Sequence, residues 1–189
     1  MKKPAPSVRL LAISGSLRTG SSNTILLRAA ARLAPAGVEI AIYDKLGDLP
    51  HFNPDLEGAE PSVVKDFCAQ VGAADGLVIS TPEYAHGIPG VLKNALDWLV
   101  GGFDFINKPV VFFNASLRST YALASLTEII TITSGRIVAE AAINVPLREL
   151  RVDEDGIVAH AEIASTIQSA ILTFARAIEN ERATRAIEE

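Results

Sequence analysis

The feature that most constrains this chain is a series of short apolar runs rich in β-branched residues: Val8 to Ser14, Val38 to Tyr43, Gly76 to Ser80, Pro109 to Ala115 and Arg136 to Val145. Most are nearly continuous rather than alternating, which is the pattern of strands buried on both faces of a parallel sheet. Between them lie stretches with helical spacing, Ile25 to Leu33, Val63 to Ala73, Val91 to Val100 and Leu123 to Thr131. After the fifth run, Ile163, Ile167, Ile171, Phe174 and Ile178 recur at three- and four-residue steps. That stripe predicts a C-terminal helix laid on the sheet and frayed at its end.

Five strands alternating with five helices make a doubly wound α/β sheet, and right-handed crossovers leave few strand orders open. The order expected is 2-1-3-4-5, the flavodoxin-like one, in a single domain over residues 1–189. With 49% hydrophobic and 21% charged residues, the chain has enough apolar material for one well-buried core. Its net charge of -5 comes without a basic cluster, which argues against a nucleic-acid partner. Cys68 is the sole cysteine, so an intrachain disulfide or a cysteine-based zinc site is excluded and a cytoplasmic location is expected. The apolar run behind MKKPAPS is too short for a signal peptide, and no stretch approaches the roughly 20 apolar residues of a membrane span.

Ligands in such sheets bind beyond the carboxyl ends of the strands at the switch point, here between the loops after the first and third strands. The first of these, Gly15 to Asn23, reads GSLRTGSSN. Gly15 and Gly20 have the spacing of a nucleotide triphosphate loop, but Ser21 stands where that loop needs lysine. Leu17 stands where a dinucleotide loop needs its second glycine. What remains is a strand-to-helix turn with Ser16, Thr19, Ser21, Ser22 and Asn23, one cation at Arg18, and the N–H groups of a helix N-terminus. Such a turn suits one terminal monophosphate. The competing reading is that Ser21, Ser22 and Asn23 only cap the helix.

The second loop begins TPEYAHGIPGVLKNALDWL at Thr81. Together with GSLRTGSSN it resembles the NADPH-dependent FMN reductase family, flavodoxin-like quinone, chromate and azo-dye reductases whose motifs run roughly GSxRxxSxN and PEYNxxxPGxLKNAxDW. The resemblance implies that Ser16, Arg18, Ser21, Ser22 and Asn23 hold the FMN phosphate, and that Pro82, Glu83 and Tyr84 lie along the isoalloxazine ring. It implies a match at Ser116 in the loop after the fourth strand, reduced pyridine nucleotide (NADPH or NADH) as co-substrate, and a homodimer or homotetramer. A turn rich in backbone N–H groups fits a flavin, because charge gathers near N1, O2 and N5 on reduction. No catalytic side chain and no metal site are expected.

The chain departs from the family pattern at two places. Ala85 and His86 follow PEY where many relatives have Asn, and NASLRSTYA replaces a glycine-rich turn from Asn114 to Ala122. Leu117, Arg118 and Tyr121 are expected to reshape that wall of the pocket. The glycines Gly87 and Gly90 are expected to relieve the bend before the next helix. Val91, Leu92, Leu96, Trp98 and Leu99 give that helix more apolar positions than one sheet-facing stripe needs, which predicts a subunit contact. Lys93 and Asp97 read as a solvated i, i+4 pair, Asp44 as a loop acid, and His51 and His160 as surface or helix-end residues. The function expected is transfer of hydride from NAD(P)H through FMN to a quinone, flavin, chromate or azo-type acceptor. The alternatives are a flavodoxin-like electron carrier and a flavin-free binding protein of the same fold.

Overall fold

The structure is a computed structural model, and it describes residues 8–147 and 153–188. Strands β1 (Val8–Ser14), β2 (Val38–Tyr43), β3 (Gly76–Ser80), β4 (Pro109–Asn114) and β5 (Arg136–Ile137) form a sheet in the order β2-β1-β3-β4-β5. All its pairings are parallel, so every strand delivers its carboxyl end to the same edge. This is the flavodoxin-like order. Helices α1 (Ser22–Arg32), α2 (Ser62–Ala73), α3 (Gly90–Asp97) and α4 (Thr120–Ile132) connect the strands.

The fifth apolar run is not one strand. It breaks into β5 and β6 (Ile143–Asn144), which pair in turn along β4, with a 3-10 turn at Ala139–Ala141 between them. The sequence Ala139-Glu140-Ala141-Ala142 explains the break, since these are good helix formers and poor strand formers. A short helix at Glu154–Ala159 adds to the five anticipated ones, its N-terminus capped by Asp153, which accepts from the Gly156 N–H at 2.8 Å. Gly156 in its interior hid it from a reading by propensity.

Two apolar layers sandwich the sheet. On one side α1 and the C-terminal helix Ala161–Glu188 cover β1 and β4, and Ile163, Ile167, Ile171, Phe174 and Ile178 of the anticipated stripe are all buried there. Fully burying one such side chain is worth about 1.5–3 kcal/mol. On the other side α2, α3 and α4 bury Phe67, Leu92, Leu96, Trp98, Leu126 and Ile130. Leu92, Leu96, Trp98 and Leu99 are therefore core residues of this chain, and Val91 is half-buried. The excess apolar positions of α3 widen its buried face, so they do not in themselves mark a subunit contact.

Candidate functional site

Three loops meet at the carboxyl edge of the sheet, after β1, β3 and β4. They enclose a cleft of about 410 Å³ lined by Ser16, Arg18, Ser21, Ser22, Asn23, Pro82, Glu83, Tyr84, Ala115, Ser116, Arg118 and Ser119. The structure thus gathers all nine residues named from the sequence, Ser16, Arg18, Ser21, Ser22, Asn23, Pro82, Glu83, Tyr84 and Ser116, around one space. Sequence reasoning passed over Ala115 and Ser119 as lining residues.

The first loop presents an open helix end. Ser21 occupies the cap position of α1 but makes no side-chain cap hydrogen bond. Neither of the other two hydroxyl or amide candidates takes over that task in a way that closes the cleft. Asn23 turns its Oδ1 to the Ser80 hydroxyl at 2.9 Å, a buried link between α1 and β3, which leaves the amide NH2 as its donor end. Ser14 Oγ and Thr24 Oγ1 lie 2.7 Å apart beneath the loop. The Arg18 guanidinium donates to the Gly20 carbonyl at 2.5 Å, so the cation is held over its own turn. A free helix N-terminus with one adjacent cation is a good seat for a phosphate.

Close approach of the first two loops depends on Gly15. Its N–H donates to the Ser80 carbonyl at 2.8 Å, and a β-carbon there would fall 2.4 Å from Thr81 Oγ1 and 3.1 Å from Leu92 Cδ2. No larger residue fits without moving the loop.

The second loop is a tight hairpin. Tyr84 and Gly87 exchange two backbone hydrogen bonds of 3.0 Å, and the intervening Ala85 and His86 have φ of 49° and 60°. The bend therefore falls on two non-glycine residues in the left-handed region rather than on Gly87 or Gly90. Asparagine or glycine would tolerate that region better than alanine does. His86 stacks on Tyr121 with ring centroids 4.1 Å apart and planes at 18°. Both rings belong to the segments where the chain departs from the motifs it otherwise resembles, and they meet each other.

The third loop repeats the first. The tripeptide Ser-Leu-Arg occurs at 16–18 and again at 116–118. The Arg18 N–H donates to Ser16 Oγ at 3.3 Å, and the Arg118 N–H to Ser116 Oγ at 3.2 Å. The Ser16 N–H donates to Ser14 Oγ, and the Ser116 N–H to Asn114 Oδ1. Leu17 and Leu117 are 63% and 61% exposed. A search for internal repeats at the ends of strands would have found this pair. The loops differ at the helix that follows: the Glu83 carboxylate accepts from the Ala122 N–H at 2.9 Å and occupies the start of α4. Arg118 lines the cleft beside Ser116 and Ser119.

The remaining titratable groups stay outside the cleft. Lys93 and Asp97 form the anticipated i, i+4 ion pair at 2.5 Å. Asp44 and His51 are exposed loop residues, and His160 lies between the last two helices, where its Nδ1 faces the Ile163 N–H at 3.5 Å. Burial, with help from Asp104 and Glu60, pushes the Cys68 thiol above its ordinary value, so it is a poor nucleophile. Among the described residues no group of three or more His, Cys, Asp or Glu could hold a metal ion, and no helix is long and apolar enough to cross a membrane.

Comparison with known proteins agrees with this geometry. Residues 8–147 match the family model described as NADPH-dependent FMN reductase. A quinone reductase of Escherichia coli K12 is 37% identical over 114 residues, which is 58% of this chain and 61% of that protein. A 2-hydroxy-1,4-benzoquinone reductase of a Burkholderia species is 44% identical over 92 residues, 49% of this chain and 50% of that protein. The matched stretches thus span about half to three fifths of these curated relatives. Among solved structures, FerB, a flavoenzyme NAD(P)H:(acceptor) oxidoreductase from Paracoccus denitrificans, superposes with a TM-score of 0.81 at 26% identity, covering 92% of this chain and 98% of that one. The family match extends from the first residue of β1 past the last of β6 and takes in all three loops of the cleft, so this chain belongs to the NADPH-dependent FMN reductase family.

Proposed function

We propose that the chain is a single FMN-binding domain that acts as an NAD(P)H-dependent oxidoreductase of the quinone-reductase type. The observation that carries this reading is the cleft itself, where an uncapped helix N-terminus and Arg18 stand at one end and the Pro82 to Tyr84 turn at the other. Its volume lies within the roughly 300–1,000 Å³ usual for cofactor pockets. FMN, when bound, would supply the redox chemistry that links hydride from a reduced nicotinamide to an electron acceptor. The chain's own residues bind and orient. Ser16, Arg18, Ser21, Ser22 and Asn23 hold the terminal phosphate, Pro82, Glu83 and Tyr84 shape the wall along the ring, and Ser116 borders the far side. No side chain is assigned a proton-transfer or nucleophilic role.

Quinones are the acceptor class we favour over flavins, chromate and azo compounds. The names of the Escherichia coli and Burkholderia relatives support that choice. So does the rim, where Leu17, Tyr84, Leu117 and Tyr121 are each more than half exposed; it offers an apolar and aromatic mouth suited to a flat ring. A homodimer or homotetramer also belongs to this proposal. Its support now comes from that rim and from Val100, Phe103 and Ile106, exposed on the loop after α3. A cytoplasmic location is proposed with it, on the strength of the single cysteine.

Steady-state oxidation of NADPH with a benzoquinone acceptor tests the activity. Turnover that requires added or retained FMN is expected. Retained FMN with no NADPH oxidation would make the protein an electron carrier, and failure to take up FMN would make it a flavin-free binding protein.

A further inference from the structure

The first and third loops present two helix starts to one cleft. Ser21 and Ser119 stand at the cap positions of α1 and α4. Each is 3% exposed, each lines the cleft, and neither makes a side-chain cap hydrogen bond. An arginine precedes each of them, Arg18 in the first loop and Arg118 in the third, and both line the cleft as well. By polarity and burial alone, either helix start could receive an anion.

What separates them is one acid. The Ala122 N–H, in the first turn of α4, donates to Glu83 Oε2 at 2.9 Å. The first turn of α4 has no acidic residue of its own, so this negative charge arrives from the loop after β3. Two features hold it there. The hairpin that follows Glu83 directly is closed by the paired Tyr84 and Gly87 hydrogen bonds, and its His86 stacks on Tyr121, the neighbour of Ala122. At the start of α1 the residue equivalent to Ala122 is Thr24, and the first turn again lacks an acid. Glu83 is the one acid among the residues lining the cleft.

We propose that Glu83 is a specificity-determining residue: its carboxylate fills the anion seat at the start of α4, keeps phosphate off those N–H groups, and leaves the start of α1 as the seat for a phosphate group. This role presupposes the FMN reading above, in which the phosphate end lies at α1. A phosphate at α4 has to displace the carboxylate from Ala122 and then lie beside its charge, and like charges at that range repel. A phosphate at α1 meets Arg18 and open N–H groups instead. Two similar loops thereby give the cleft one polarity for a molecule with phosphate at one end.

The test titrates inorganic phosphate into the isotope-labelled full-length apoprotein and follows backbone amide shifts, for the parent, Glu83→Ala and Glu83→Gln. In the parent, phosphate moves the amides of Ser22 and Asn23 and leaves those of Tyr121 and Ala122 in place. Glu83→Ala frees the Ala122 N–H and removes the charge, so a second set of shifts appears at Tyr121 and Ala122, with a Kd within about tenfold of that at α1. Glu83→Gln keeps an acceptor without the charge and gives the same second set up to about tenfold more weakly; it decides the matter if Glu83→Ala does not fold. Phosphate that moves both sets in the parent, moves neither, or leaves Tyr121 and Ala122 unmoved in a folded variant overturns the role of Glu83, and FMN uptake by the parent then leaves the FMN reading standing. A parent that takes up no FMN overturns both.

Discussion

The Glu83 carboxylate accepts the Ala122 N–H at 2.9 Å, so the loop after β3 caps a helix that follows β4. Ser119, at the cap position of α4, makes no side-chain cap hydrogen bond. One acid therefore ties together two of the three walls of the cleft. Glu83→Ala is expected to cost about 1 kcal/mol of stability, as loss of an N-terminal cap does, and to weaken FMN binding as Tyr84 and Ser116 lose their fixed spacing. Denaturant unfolding and flavin titration check both; unchanged stability would show that water replaces the carboxylate at no cost.

The two arginines of the repeated tripeptide have separable roles. Arg18→Ala removes the cation at the phosphate end, and FMN affinity should fall roughly ten- to hundredfold. Arg118→Ala leaves that end intact. If Arg118 steadies charge on the reduced flavin, the FMN midpoint potential falls; if it binds the 2′-phosphate of NADPH, the NADPH KM rises while NADH kinetics hold. With potential and both KM values unchanged, Arg118 is a surface residue, and the reshaped wall is the work of Leu117 and Tyr121.

The strand order, the exact bounds of β1, β2 and β3, and most of the residues lining the cleft were legible in the sequence, because buried parallel strands and strand-end loops leave strong local patterns. The fold of 136–145 was not, since its Ala-Glu-Ala-Ala segment contradicts the flanking β-branched residues and only packing resolves the conflict. The hydrogen bonds made by Asn94 and Trp98 were also hidden. Their partner is the backbone carbonyl of Pro50, more than forty residues away, and backbone acceptors carry no side-chain signature.

Ala85 pays for its left-handed conformation without the compensation glycine or asparagine would bring. Ala85→Asn should therefore stabilise the protein by about 0.5–1 kcal/mol, provided that the His86 and Tyr121 stack is kept. Equilibrium unfolding in guanidinium measures it, and a loss of stability would mean that the cleft cannot accept the larger side chain.

Tyr43 gives the fold a limit in alkali. Burial first, then Asp66, Asp48 and Asp44, push its phenol up to about 12. Between the ordinary value near 10 and that value the unfolded chain gives up a proton that the folded chain keeps, so stability falls as pH rises. The loss should be measurable by pH 12, and Tyr43→Phe should flatten that slope. An identical pH dependence in the two proteins would assign the loss elsewhere.

FMN bound in this cleft should lie where a reduced pyridine nucleotide can reach it. The most direct test is the visible spectrum of the FMN-loaded protein, freed of unbound flavin and mixed anaerobically with NADPH, then with a quinone. The expected result is a flavin band that survives removal of free FMN, bleaches on addition of NADPH and returns with the quinone. A protein that loses its flavin on desalting, or whose band persists in NADPH, would contradict it.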